Sequence, residues 1–163
     1  MKIIRDNIIY VQLEDINYIV NRNIGCPKKI IKETLSQGYI AIDYDNMYDF
    51  VFFKDKEIID FINKTSFILD YDELNMKSIK ELNVMINNYL EEKKSLLDKF
   101  NSMTKYEKKE DTLNNINDLE YKFYQVNKIL LCKKGNDHLV LPEGIETPKK
   151  NIFKKIFKNK KKM

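Results

Sequence analysis

The segment SIKELNVMINNYLEEKKSLLDKFNSM, residues 78–103, decides the architecture. Its apolar residues Ile79, Leu82, Ile86, Tyr89, Leu96, Phe100 and Met103 fall in alternating steps of three and four, with Lys93 as the one misfit. Such spacing is a heptad seam on one helix of about four heptads. A second seam follows at Ile116, Leu119, Phe123, Val126 and Leu130. Two successive seams satisfy each other most simply as an antiparallel helical hairpin over Met76–Lys134, with arms roughly 40 Å long at about 1.5 Å per residue. Ser78-Ile-Lys-Glu81 and Thr104-Lys-Tyr-Glu107 both fit the capping box, in which a hydroxyl and a Glu satisfy each other's orphan amides. Lys133, Lys134 and Gly135 supply cations and a left-handed stop at the far end. Val84, Leu90 and Leu97 lie off the first seam and form a second apolar stripe, expected to dock on the N-terminal half.

Upstream of the hairpin the chain alternates between periods. Lys2–Arg5 and Ile8–Gln12 read as strands around an Asp6-Asn7 turn, and Glu14–Asn21 reads as a helix. Pro27 opens a second helix that Gly38 ends. Tyr39–Asp43 and Tyr48–Phe53 flank turn chemistry and predict a β-hairpin. Asp55 caps a helix through Asn63, and Ser66–Tyr71 reads as a further strand. His138–Leu141 reads as a closing strand. The expected fold is α+β: a mixed region at 1–75, the hairpin at 76–134, a closing strand or loop at 135–146 and a basic amphipathic tail at 147–163.

Composition bounds the function. With 43% hydrophobic and 33% charged residues, the chain suits a soluble globular protein with much helical surface. No apolar run approaches the roughly 18–20 residues needed to span a bilayer, and the first residues lack a signal-peptide core, so a cytoplasmic location is expected. Cys26 and Cys132 are far apart and without a metal-ligand pattern, which reads as two free thiols. The abundance of Ile, Asn, Lys and Tyr beside a single alanine is what an AT-rich coding sequence would give, pointing to a bacterial or phage source. The net charge of +4 hides an asymmetry: the eight lysines of 149–163 stand without an acid, leaving residues 1–148 at −4.

The chemistry-bearing candidates are few. In a strand, residues two apart share a face. Asp43 with Asp45 and Asp70 with Asp72 could therefore each present two carboxylates, and two such pairs together could hold Mg²⁺ or Mn²⁺ in a small metal-dependent enzyme. The plainer reading is turn and cap residues. His138 is the single histidine, and no Walker or Gly-x-Gly-x-x-Gly sequence accompanies it, so neither a catalytic signature nor a cofactor is expected. In the tail, Phe153 and Phe157 share a helical face with Ile152 and Ile156. Lys149, Lys150, Lys154, Lys155, Lys158, Lys160, Lys161 and Lys162 surround that face. A basic amphipathic segment of this kind suits an anionic membrane surface or nucleic-acid phosphates, or it is simply a solvated end.

The order helix, Gly-Cys-Pro turn, helix, β-hairpin across Glu14–Phe53 resembles a winged helix-turn-helix. That resemblance implies a recognition helix in the DNA major groove, a hairpin wing, and phosphate contacts from Lys28, Lys29 and Lys32. The expected function is a non-enzymatic protein-interaction module, inhibitor-, immunity- or adaptor-like, with another protein as partner. A winged-helix nucleic-acid binder is the first alternative and the metal-dependent enzyme the second.

Overall fold

The computed structural model describes residues 1–40 and 44–145. Among them the fold is mixed α+β, a three-stranded antiparallel sheet with six α-helices. The elements are β1 (Lys2–Arg5), β2 (Ile8–Gln12), α1 (Leu13–Arg22), α2 (Lys28–Ser36), β3 (Phe50–Phe53), α3 (Lys56–Lys64), α4 (Tyr71–Asn75), α5 (Ile79–Ser102) and α6 (Tyr106–Lys133).

The β1–β2 hairpin closes through two residues in left-handed backbone, Asp6 at φ 49° and Asn7 at φ 63°. Asp and Asn tolerate that region better than most side chains, and paired positive φ values match the twist of the flanking strands. β3 pairs with β2, in the sheet order β1-β2-β3. This corrects the β-hairpin expected at Tyr39–Phe53. Tyr39 and Ile40 lie in no strand, and Asp43 with its two predecessors lies outside the described residues. The free edge of β3 is instead covered by a side chain. The Gln37 amide donates to the Phe52 carbonyl and accepts from the Phe52 amide at 3.1 Å. A carboxamide carries the same donor and acceptor as a peptide on a neighbouring strand.

Ser66–Tyr71 shows the same substitution. It forms a turn and a single parallel bridge, Lys2 to Asp70, and no further strand. Gln125 on α6, fully buried, accepts from the Leu69 amide at 2.9 Å and donates to the Phe67 carbonyl at 2.7 Å. His138–Leu141 likewise forms no strand, although Leu139 and Leu141 pack on the core.

The sheet has apolar groups on both faces. Ile9, Val11, Val51 and Phe53 turn to one core with Ile16 and Ile19 of α1, Ile30 of α2, and Ile58 and Ile62 of α3. Ile3, Tyr10 and Phe50 turn to a second core with Met1, Leu74 of α4, Leu82 of α5, and Val126, Ile129 and Leu130 of α6. Burying one such aliphatic side chain contributes about 1.5–3 kcal/mol.

α5 starts on a complete capping box, with Ser78 Oγ accepting from the Glu81 amide at 3.1 Å and Glu81 accepting from the Ser78 amide at 3.2 Å. The box expected at Thr104–Glu107 does not form. α6 begins one residue later, with Lys105 as its cap and no side-chain cap bond, so Thr104 stands out of register. At the far end Asn136 donates to the Leu131 carbonyl and Gly135, at φ 76°, to that of Cys132, the paired bonds of a Schellman stop. α5 and α6 run side by side, and Lys93, the seam misfit, pairs with Glu120 at 2.9 Å. Val84, Leu90 and Leu97 stay exposed and do not dock on the N-terminal half. At about 100° per residue Val84 lies well round α5 from Leu90 and Leu97, so the three form no single stripe. α6 makes that contact, as described below.

Gln125→Leu roughly keeps the volume but orphans a part-buried amide and a buried carbonyl, and is expected to cost about 2–4 kcal/mol. Gln125→Glu, which retains the acceptor for Leu69 and loses the donor to Phe67, is expected to destabilise as well. Urea unfolding measures both. A loss under about 0.5 kcal/mol in each would show that the glutamine does not hold this segment.

A candidate cleft beside a buried polar seam

α6 meets α1 through polar groups in antiparallel order. Tyr124 donates to Glu14 at 3.1 Å, Tyr121 to Asp15, and Tyr18 to Asp118 at 2.7 Å. Arg22 closes the series with two bonds to Asp118, both 3.1 Å. Tyr18 and Tyr121 stack, with centroids 4.2 Å apart at 11°. Asp118, Tyr121, Gln125 and Lys128 thus form a polar seam on α6, in steps of three, four and three. The apolar periodicity passed over these residues, yet the same spacing among polar side chains was present in the sequence as a signal.

Asp15 is completely buried. It accepts from the Met1 α-ammonium at 2.7 Å, from the Gln12 amide at 3.2 Å and from Tyr121. The next amides of α1 are also occupied, Leu13 by the Asp49 carbonyl and Glu14 by that of Met47, both at 2.9 Å. The start of α1 therefore fixes the loop that leads into β3.

Beside this seam lies a cleft of about 650 Å³. One wall is the face Tyr124, Asn127, Lys128 and Leu131 of α6; the others are Tyr39, Tyr48–Phe50 and the segment 137–142. The Lys128 ammonium sits 3.8 Å from Glu14 Oε1 and 4.1 Å above the Tyr48 ring. Both side chains are more than nine-tenths buried, and among the described residues neither Lys128 Nζ nor Glu14 Oε1 has a hydrogen-bond partner. Burial, and then the Asp15 charge, push the Glu14 carboxyl above its ordinary range, while Lys128 and the Met1 ammonium pull it back.

The sequence candidates fall as follows. Asp72 takes two bonds from Arg5, one of them 2.9 Å, and Asp70 caps α4 by accepting from the Glu73 amide at 3.1 Å. Asp45 lies in a one-turn 3-10 helix, Tyr44–Asn46. Asp43 and the tail lysines and phenylalanines from Lys149 to Lys162 lie outside the described residues. Among the described residues no three His, Cys, Asp or Glu side chains come together as metal ligands. Lys29 pairs with Asp55 at 2.9 Å and Glu57 at 2.7 Å, whereas Lys28 and Lys32 are exposed. With β3 paired to β2, the hairpin that the winged-helix resemblance implied is missing from the described residues. Cys26 and Cys132 are free thiols that burial pushes up, the reverse of an activated nucleophile. His138 stands exposed on the cleft wall. Among the described residues no helix is long and apolar enough to cross a membrane.

No protein-family model, no curated protein and no solved structure matches this chain. The geometry alone carries the functional reading.

Burial and the neighbouring carboxylates raise the hydroxyls of Tyr18, Tyr121 and Tyr124 far above the ordinary tyrosine value of 10.0. Above pH 10 the unfolded chain releases these protons and the folded chain retains them. Their contribution to stability is therefore complete below pH 10 and is lost as pH rises beyond it. Tyrosinate absorbance is expected to show a late, cooperative step coincident with loss of helical circular dichroism. Tyr121→Phe should shrink that step by about one tyrosine; ionisation of every tyrosine ahead of unfolding would contradict the seam.

Proposed function

We propose that this protein is a non-enzymatic interaction module that presents its long-helix hairpin to another protein. One observation supports the reading. α6 spends one face on α1 and another on α5, and α5 keeps Val84, Leu90 and Leu97 exposed at 52%, 47% and 38%. Leu90 and Leu97 share one face of α5 two turns apart, and exposed apolar side chains at helical spacing on a rigid helix are a frequent docking element. The hairpin arms are held by their own seam and ion pair, so this surface costs little conformational entropy to bind. An inhibitor-, immunity- or adaptor-like role fits a chain whose first 148 residues carry −4.

The experiment is affinity co-purification from the source cells, with the unaltered chain beside Val84→Glu/Leu90→Glu/Leu97→Glu. These exposed substitutions are expected to leave thermal stability within a few degrees and to release a stoichiometric protein partner. A partner retained by the triple variant, or no partner with either bait, would overturn the proposal.

A further inference from the structure

The cleft beside Lys128 holds an unfinished polar arrangement. An ammonium with three donors and a carboxylate oxygen face each other at 3.8 Å without a hydrogen bond to either. Leaving such buried groups unpaired costs more than leaving neutral ones unpaired. Tyr48 covers the ammonium and is itself 59% exposed, on the loop between the 3-10 turn and β3. Access to the ammonium from the cleft requires displacement of that one ring. The charges around the mouth are of the opposite kind: Asp49 and Asp137 are exposed at the rim, and among the described residues Lys128, balanced by Glu14, is the one Lys or Arg of the lining. The walls between floor and rim are aromatic and aliphatic, including Phe50, Leu139 and Leu141.

A free anion would meet Lys128 but be repelled by the rim and by Glu14. A simple cation would leave the ammonium unsatisfied. An extended peptide bearing basic side chains meets both demands, because its backbone supplies acceptors and its side chains supply positive charge with apolar stems. We propose that this cleft receives a Lys- or Arg-bearing segment of a partner protein, with backbone carbonyls accepting from Lys128 and basic side chains reaching Asp49 and Asp137. The inference rests on the interaction reading above and narrows the partner to one that exposes a basic segment. Charge complementarity with the acidic rim supports that occupant, and the aromatic walls add cation–π attraction for its side chains.

The probe is a fluorescein-labelled dodecapeptide of alternating Lys and Ala, titrated into the full-length protein, with a Glu-Ala peptide as control. Saturable binding is expected for the basic peptide alone, with amide shifts in nuclear magnetic resonance at Asn127, Leu139 and Leu141. Asp49→Asn/Asp137→Asn, which keeps a side-chain oxygen at each exposed site, is expected to weaken binding about tenfold, the equivalent of about 1.4 kcal/mol. Equal affinity in that variant, equal binding of the acidic peptide, or shifts confined to another surface would overturn the proposal. So would cleft resonances that move, without peptide, when the eight lysines of 149–163 become glutamine, because the chain's own tail would then be the occupant. The triple variant on α5 is expected to bind the peptide normally, so failure of the α5 surface and failure of the cleft are read separately.

Discussion

The Asp15 carboxylate is the interaction on which the rest of this structure depends. It lies in the first turn of α1, where a negative charge is favoured by the helix dipole, and it is completely buried. Its desolvation costs several kcal/mol unless its oxygens are fully engaged. The Met1 ammonium, the Gln12 amide and the Tyr121 hydroxyl engage them. One residue of α1 thereby ties the chain start just ahead of β1, the entry to its own helix, and the middle of α6. Removing a partner would leave a buried charge uncompensated, which accounts for why Gln12, Asp15 and Tyr121 occupy one contiguous site.

From that point α6 reads as the central element. Its apolar residues face α5 and the second core, and its polar seam of Asp118, Tyr121, Gln125 and Lys128 faces the α/β body. With those faces committed, α6 leaves Tyr124, Asn127, Lys128 and Leu131 on the wall of the cleft. Under the proposed interaction reading, a partner meets the exposed leucines of α5 and the cleft where the seam runs out at Lys128. Glu14 and Lys128 are the least complete pair of the series: Asp15 gathers three donors, whereas Glu14 gathers only the Tyr124 hydroxyl, on Oε2.

Much of the local structure was legible in the sequence, because it was written in short-range chemistry. Asp6-Asn7 makes a turn by left-handed tolerance, Asp55 accepts from two amides of α3, and Ser78 with Glu81 closes a box. Gly135 stops α6 for the same kind of reason. Pairing over distance was not legible. β3 has the composition of half a hairpin, yet its partner is β2, some forty residues earlier, and Gln37 takes the place of the expected strand. Ser66–Tyr71 has strand-like residues whose backbone groups Gln125 satisfies from α6. Hydrophobic periodicity cannot distinguish a peptide neighbour from a carboxamide that mimics one. The candidate site was hidden for a related reason: Glu14, Tyr48, Tyr124 and Lys128 come from three separate segments, and each alone looks like ordinary surface.

The most direct test is a double-mutant cycle between α1 and α6, using Asp15→Asn, Tyr121→Phe and the pair together, followed by urea unfolding. If the polar seam docks α6 on the body, the two substitutions are coupled and the interaction energy is about 1–3 kcal/mol. If the losses simply add, Asp15 and Tyr121 act independently. The hairpin would then be held by its apolar contacts alone, and the central role assigned to this carboxylate would be wrong.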